Sequence, residues 1–250
     1  MIELQKINMF FNKGTQLENH VLKDVSLSVA EGEFITIIGG NGAGKSSLMN
    51  ILSGDIMPSK GKILIDGIDV TKMPVEARAG MVARIFQDPM IGSFTGLTIE
   101  ENMAIANRRG KGRGLSLSLT DELRVQFKEA LSELDMGLER RLGDEVASLS
   151  GGQRQALSLV MATLQSSKIL LLDEHTAALD PKIAKTIMYL TEKIVKTHRL
   201  TALMITHSMA QALEYGNRTL MMYRGEIVRD MRGDVRGDLE PDDLVKYFDL

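Results

Sequence analysis

Lys45 and Ser46 close the run Gly39-Gly40-Asn41-Gly42-Ala43-Gly44-Lys45-Ser46, which fits G-x-x-x-x-G-K-[ST], and Ser47 follows it. These residue types suit a bound triphosphate. Gly39, Gly42 and Gly44 let successive backbone N–H groups turn inward without Cβ clashes, making a concave anion cradle. A helix starting behind the loop adds the partial positive charge of its N-terminus. The Lys45 ammonium can reach β- and γ-phosphates, and the Ser46 hydroxyl can take a place on Mg²⁺. The flanks supply the elements this chemistry needs. Ile35-Thr36-Ile37-Ile38 reads as a buried strand leading into the loop, and Ser47–Leu52 has the spacing of a helix with one apolar face.

Two further stretches carry chemistry. Leu149-Ser150-Gly151-Gly152-Gln153 opens a helix predicted to run to Leu164. Ser150 can cap that helix, and the Gly151 and Gly152 amides point outward at its N-terminus, where a second phosphate contact could form. A plain helix cap is the alternative. Ile169-Leu170-Leu171-Leu172-Asp173-Glu174 reads as a buried strand ending in two carboxylates, delivered to a sheet's C-terminal edge beside the phosphate loop. Asp173 would hold Mg²⁺, through water, and Glu174 would polarise the attacking water. Taken alone, such a pair serves equally well as a helix cap.

The elements that must position these groups follow from hydrophobic periodicity and turn residues. Residues 2–11 read as a strand, the period-2 pattern of Val21–Val29 as a second with one wet face, and Lys62–Ile65 as a short third, so the N-terminal part resembles a small antiparallel sheet. Met81–Phe86 is a further strand. Thr98-Ile99-Glu100-Glu101 has the form of a capping box, and Thr120–Leu134 is a long amphipathic helix. Lys168–Asp173 is apolar on both faces, as a central parallel strand should be. A helix over Pro181–Thr197, a strand over Thr201–Thr206, a helix over Ser208–Tyr215 and a hairpin through Arg224-Gly225 complete the core. A polar tail, Asp230–Asp238, precedes a short helix from Pro241. The expected fold class is α/β: a phosphate-loop NTPase core with a mainly parallel sheet, an N-terminal antiparallel β-subdomain and an inserted helical subdomain. The expected boundaries are residues 1–89 and 167–230 for the core, 90–166 for the helical subdomain and 231–250 for the tail, within one domain.

Composition narrows the class. The chain has 250 residues, 44% of them hydrophobic and 25% charged, with a net charge of −3, which disfavours global attraction to nucleic acid or anionic membrane. Cys is absent, which excludes disulfides and thiolate metal sites. Met1–Lys6 lacks the pattern of a signal peptide, and no apolar run approaches the length of a membrane span. Asn107–Gly114 is a basic loop carrying Arg108, Arg109, Lys111 and Arg113. A solvated face is the leading reading, followed by contact with lipid headgroups or a membrane subunit. Nucleic acid is disfavoured by the lack of interleaved aromatics.

Phosphate loop, Gln87, Leu149–Gln153, Asp173-Glu174, Ala178-Leu179-Asp180 and His207 stand in the order seen in ATP-binding-cassette (ABC) ATPase subunits, and the chain resembles them over roughly residues 2–230. The resemblance implies an ATP-hydrolysing subunit that uses ATP and Mg²⁺ to power solute transport. It implies a homodimer sandwiching two ATP molecules, each between one protomer's phosphate loop and the other's Ser-Gly-Gly-Gln segment. Ser150 and Gly152 would then contact the γ-phosphate bound by the partner subunit. Gln87 would ligate Mg²⁺ or water and report nucleotide state to the helical subdomain, His207 would hydrogen-bond the γ-phosphate, and Asp180 would organise the dimer seam. Phe11 matches the position whose ring stacks on adenine, with Phe10 the neighbouring candidate. The implied partners are transmembrane permease subunits and an extracytoplasmic substrate-binding protein, with no nucleic acid, at the cytoplasmic face of the cell membrane. Gly40 and His175 stand where the family commonly has Pro, and neither position supplies a group to this chemistry. The run Asp173–Pro181 resembles a subgroup attached to importers of amino acids, aromatic ones among them. A soluble ABC ATPase of DNA repair or translation is disfavoured by the single cassette and the lack of a long coiled-coil insertion. A non-hydrolysing nucleotide sensor is disfavoured by Glu174, His207 and Gln87 together.

Overall fold

The structure is a computed structural model that describes residues 1–111, 119–165 and 167–247. Gly112, Arg113 and Gly114 of the basic loop lie outside the described residues. In chain order the elements begin with β1 (Ile2–Phe11), β2 (Asn19–Val29), β3 (Phe34–Gly39), α1 (Lys45–Ser53), β4 (Lys60–Ile65), β5 (Ile68–Asp69) and α2 (Val75–Arg78). They continue with β6 (Val82–Ile85), α3 (Ile99–Ala106), α4 (Asp121–Ser132), α5 (Gly151–Thr163), β7 (Ile169–Asp173) and α6 (Pro181–Thr197). The last are β8 (Thr201–Ile205), α7 (Met209–Glu214), β9 (Arg218–Tyr223), β10 (Glu226–Arg232), α8 (Gly233–Gly237) and α9 (Pro241–Lys246). These elements divide into two compact units, Met1–Arg78 with Arg199–Leu250, and Ala79–His198.

In the first unit, β1 pairs antiparallel with β2 and β4, and β4 with β5, giving the antiparallel sheet in the order β2-β1-β4-β5. Its inward residues, including Ile2, Ile7, Leu22 and Ile63, are fully buried. Strand β3 runs parallel to β8 on one side and β9 on the other, and β10 returns antiparallel to β9. Every residue of β3 and β8 is buried, the pattern of strands covered on both faces. The sheet is mainly parallel, as expected.

The second unit pairs β6 parallel with β7, Val82 beside Ile169 and Ile85 beside Leu172. Its helices start on the caps that the sequence pattern announces. Thr98 and Glu101 close a capping box at α3, and Ser150 and Gln153 close another at α5. Asp180 caps α6, with Pro181 in the first turn. One face of α6, through Ile187, Met188, Leu190 and Ile194, is buried.

Two segments depart from expectation. The polar run Asp230–Asp238 is not a tail: β10 extends to Arg232 and α8 follows. Long-range partners order it. Arg218, its side chain 2% exposed, binds both Asp230 oxygens at 2.7 and 2.8 Å, and Met231 and Leu244 bury against Ile38, Ala212 and Met221. Helix α2 also carried no periodic signal. It exists to place Arg78, fully buried, whose guanidinium donates to the carbonyls of Ile51, Leu52, Val70, Thr71 and Met73. Two of those carbonyls lie in the last turn of α1, which has no intrahelical donors of its own for them.

Candidate functional site

In the first unit the phosphate loop runs from the buried end of β3 into α1. Gly44 stands at the N-cap of α1 with φ +100°, and a Cβ there would press on Leu22 Cδ2 at 2.8 Å and Val21 O at 2.9 Å. Left-handed backbone and close approach to β2 both demand glycine. Gly39 serves differently, since it has no positive φ. It ends β3 against the Met222 carbonyl, where a Cβ would sit 2.5 Å away. Gly40, Asn41 and Gly42 are exposed, Ala43 is buried, Ser46 is exposed and Ser47 half-buried. Lys45 is 6% exposed and its ammonium donates to Gly39 O at 2.7 Å and Gly40 O at 3.1 Å. The cation is thereby held over the loop.

The aromatic candidates of this unit separate cleanly. Phe10 stacks on His20, its cross-strand partner, with centroids 4.0 Å apart, and Lys13 lies 5.4 Å above its ring. Phe11, at the end of β1, is 38% exposed. His207 is exposed two residues beyond β8 and directly before Ser208, the cap of α7.

In the second unit Asp173 ends β7 and Glu174 follows with φ +49°, left-handed backbone that costs a non-glycine residue roughly 1–3 kcal/mol. Such strain collects where side chains must be aimed. The turn is closed by Ala177 N donating to Glu174 O at 2.9 Å. Gln87 is exposed two residues beyond β6. Ser150 Oγ accepts from Gln153 N at 3.3 Å, and Gln153 Oε1 accepts from Ser150 N at 3.2 Å, leaving the Ser150 hydroxyl hydrogen to donate outward. Gly151 and Gly152 form the first turn of α5. Asp180 is exposed and its Oδ1 accepts from Ile183 N at 3.1 Å.

Each unit by itself offers hard oxygen donors of the kind magnesium takes, the Ser46 hydroxyl in the first and the Gln87 amide and Asp173 carboxylate in the second, and among the described residues no group of three or more His, Cys, Asp or Glu forms a metal cage. Mg²⁺ is ordinarily held by one or two carboxylates together with phosphate and water.

Two residues near these groups, Arg84 and Gln155, escaped the sequence reading, and the partner of a third, His175, was not legible in it. Arg84, the one charge in the apolar strand β6, donates to Asp173 Oδ2 at 2.7 Å and stacks over Phe86 with 4.7 Å from Cζ to the ring centroid. Gln155 is fully buried in α5 and donates to Phe86 O at 3.4 Å, bracing the strand that leads to Gln87. His175 is 2% exposed and its Nε2 lies 2.9 Å from Thr191 Oγ1 on α6. Thr191 donates its own proton to Ile187 O at 2.8 Å, so His175 carries a proton on Nε2 and donates it to Thr191. Burial pushes the His175 pKa down to about 4, which keeps the ring neutral. The charge in an apolar strand was the available signal for Arg84. Nothing local marks Thr191 as the partner of His175.

The chain is similar to known proteins over most of its length. Residues 22–177 match the family model described as ABC transporter. The chain is 38% identical to a tyrosine transport ATP-binding protein of Clostridioides difficile over 249 residues, covering 100% of this chain and 99% of the relative. It is 33% identical to a thiamine import ATP-binding protein of Escherichia coli over 213 residues, 85% of this chain and 87% of the relative. Among solved structures, a dimeric ATP-binding cassette in a post-hydrolysis state, bound to ADP and phosphate, superposes with a TM-score of 0.79 at 28% identity, covering 93% of this chain and 98% of that one.

Proposed function

The chain belongs to the ABC transporter family, and on that premise we propose that its residues divide the work of an ATP-driven importer as follows. The protein is an ATP-binding and ATP-hydrolysing subunit that uses Mg²⁺ and couples hydrolysis to solute transport. Gly39 through Ser47 cradle the β- and γ-phosphates, Lys45 exchanges its two carbonyl partners for phosphate oxygens, and Phe11 stacks on adenine. Ser46, Gln87 and Asp173 hold the metal, which when bound neutralises phosphate charge as it develops. Glu174 takes the proton of the attacking water, and His207 hydrogen-bonds the γ-phosphate. Ser150 and Gly152, with Gly151 and Gln153 shaping their turn and Asp180 fixing the adjoining helix start, contact the γ-phosphate held by a second protomer. Glu174 carries most of this assignment, because it follows a buried strand with left-handed backbone at φ +49°, and backbone strain of this kind clusters at functional sites.

Two copies clamp two ATP molecules and act on membrane permease subunits from the cytoplasmic face, with an extracytoplasmic substrate-binding protein delivering the solute. No helix among the described residues is long and apolar enough to cross a membrane, and the solute path is assigned to the permease subunits. The tyrosine transport relative, aligned end to end, favours an amino acid, and within that class an aromatic one. Residues 1–89 and 167–230 act as the nucleotide-binding core, 90–166 as the helical part that meets the permease, and 231–250 as a C-terminal extension.

One experiment tests both levels. In cells carrying Glu174→Gln in place of the wild-type chain, uptake of labelled tyrosine should fall to background. The purified variant should still bind ATP while hydrolysis falls at least ~100-fold, a loss of general-base size. Unchanged uptake would sink the tyrosine assignment, and unchanged hydrolysis would sink the assignment of the base.

A further inference from the structure

We propose that Arg84 is the resident counter-ion of Asp173, which a divalent cation must displace, and that this makes metal binding conditional on nucleotide. The inference rests on the assignment of Asp173 as a metal ligand and adds what holds that carboxylate beforehand.

Parallel pairing sets Arg84 beside Leu171, with Asp173 two residues further along β7, about 7 Å away. A long side chain on the same face spans that distance. The guanidinium reaches Asp173 Oδ2 at 2.7 Å, with side chains 11% and 15% exposed, so the pair is shielded from most solvent screening. Its other face rests on Phe86, the residue immediately before Gln87, so the cation is held at both ends.

The electrostatic consequence is specific. Among the described residues no group of three or more His, Cys, Asp or Glu could hold a metal ion, and a cation arriving alone at Asp173 meets a carboxylate already paired with Arg84. It would have to break that pair and then sit beside a liberated guanidinium of like charge. Phosphate oxygens change the balance by bringing negative charge to offset both cations. Arg84 thus acts as a positioning residue that holds Asp173 extended and discourages premature metal occupancy.

Mn²⁺ is the probe, followed through the electron paramagnetic resonance of the free ion with the full-length chain. Without nucleotide, wild type should bind Mn²⁺ weakly, and Arg84→Gln should bind about tenfold more tightly, the weight of one charged hydrogen-bonded contact. With a non-hydrolysable ATP analogue present, the two proteins should differ by less. Arg84→Lys keeps the charge on a single point donor and should fall between them, which keeps the test open if Arg84→Gln does not fold. Equal or weaker Mn²⁺ binding by Arg84→Gln and Arg84→Lys, with Asp173→Asn still abolishing it, would overturn the counter-ion role alone. Unaltered Mn²⁺ binding by Asp173→Asn would overturn the metal-ligand assignment itself.

Discussion

Gly152→Ala offers a quantitative test of how closely α5 approaches α6. A Cβ built at Gly152 falls closer than 3.0 Å to Ile183 Cγ2, while Ile183 Cβ stays at an ordinary 3.7 Å. The colliding atom belongs to a β-branched side chain and cannot swing away without moving the helix. Overpacking of this kind costs about 1–3 kcal/mol, against which alanine returns roughly 1 kcal/mol of helix propensity over glycine. The single variant should therefore be destabilised by about 1 kcal/mol, a fall in melting temperature of about 2–4 °C for a chain of this size. Ile183→Ala removes Cγ2 and leaves only the tolerable Cβ. In that background Gly152→Ala should become stabilising, and the reversal of sign is the decisive reading. Thermal unfolding of the four proteins of this cycle measures it directly. If the two changes add within about 0.5 kcal/mol, the close approach is absent. The same geometry bears on how this segment is probed: an acidic residue at Gly152 would damage its own helix contact before repelling any phosphate, whereas Ser150→Ala costs about 1 kcal/mol of capping and no collision.

Two further outcomes follow from buried polar contacts. Thr191→Val keeps shape but strands the His175 Nε2–H, so unfolding stability should fall by about 1–3 kcal/mol and Thr191→Ser should restore it; equal melting of Thr191→Val and wild type would remove the His175–Thr191 bond from the account. Hydrogen bonds from Arg218, then Arg232, hold Asp230 down to about 2 from its ordinary 3.8, so the folded state binds its proton later than the unfolded chain. That stabilisation is complete above pH 3.8 and is lost as pH falls to about 2. The melting temperature of wild type should fall more steeply with pH in that window than that of Asp230→Asn, and equal pH dependences would refute the pairing.

Local chemistry was legible wherever one segment contains both the group and its reason. The Gly39–Ser46 spacing announces a phosphate cradle because glycine, lysine and hydroxyl act through the backbone they sit on. Thr98, Ser150 and Asp180 announce helix starts because a cap bonds only three residues ahead. The apolar run before Asp173 announces a strand buried on both faces, and β7 is one. Tertiary structure decided what depends on partners far along the chain. Arg84 meets Asp173 across 89 positions, and Arg218 meets Glu33 across 185, so no window of sequence holds both members of either pair. The segment Asp230–Asp238 reads as solvated because its own residues are polar, yet β10 and α8 form there because an arginine on β9 supplies the opposite charge and Met231 finds an apolar surface assembled from four other elements. His175 looks neutral to function in the linear motif. Only the packing of α6 gives its ring a proton acceptor and buries it against the turn that holds Glu174.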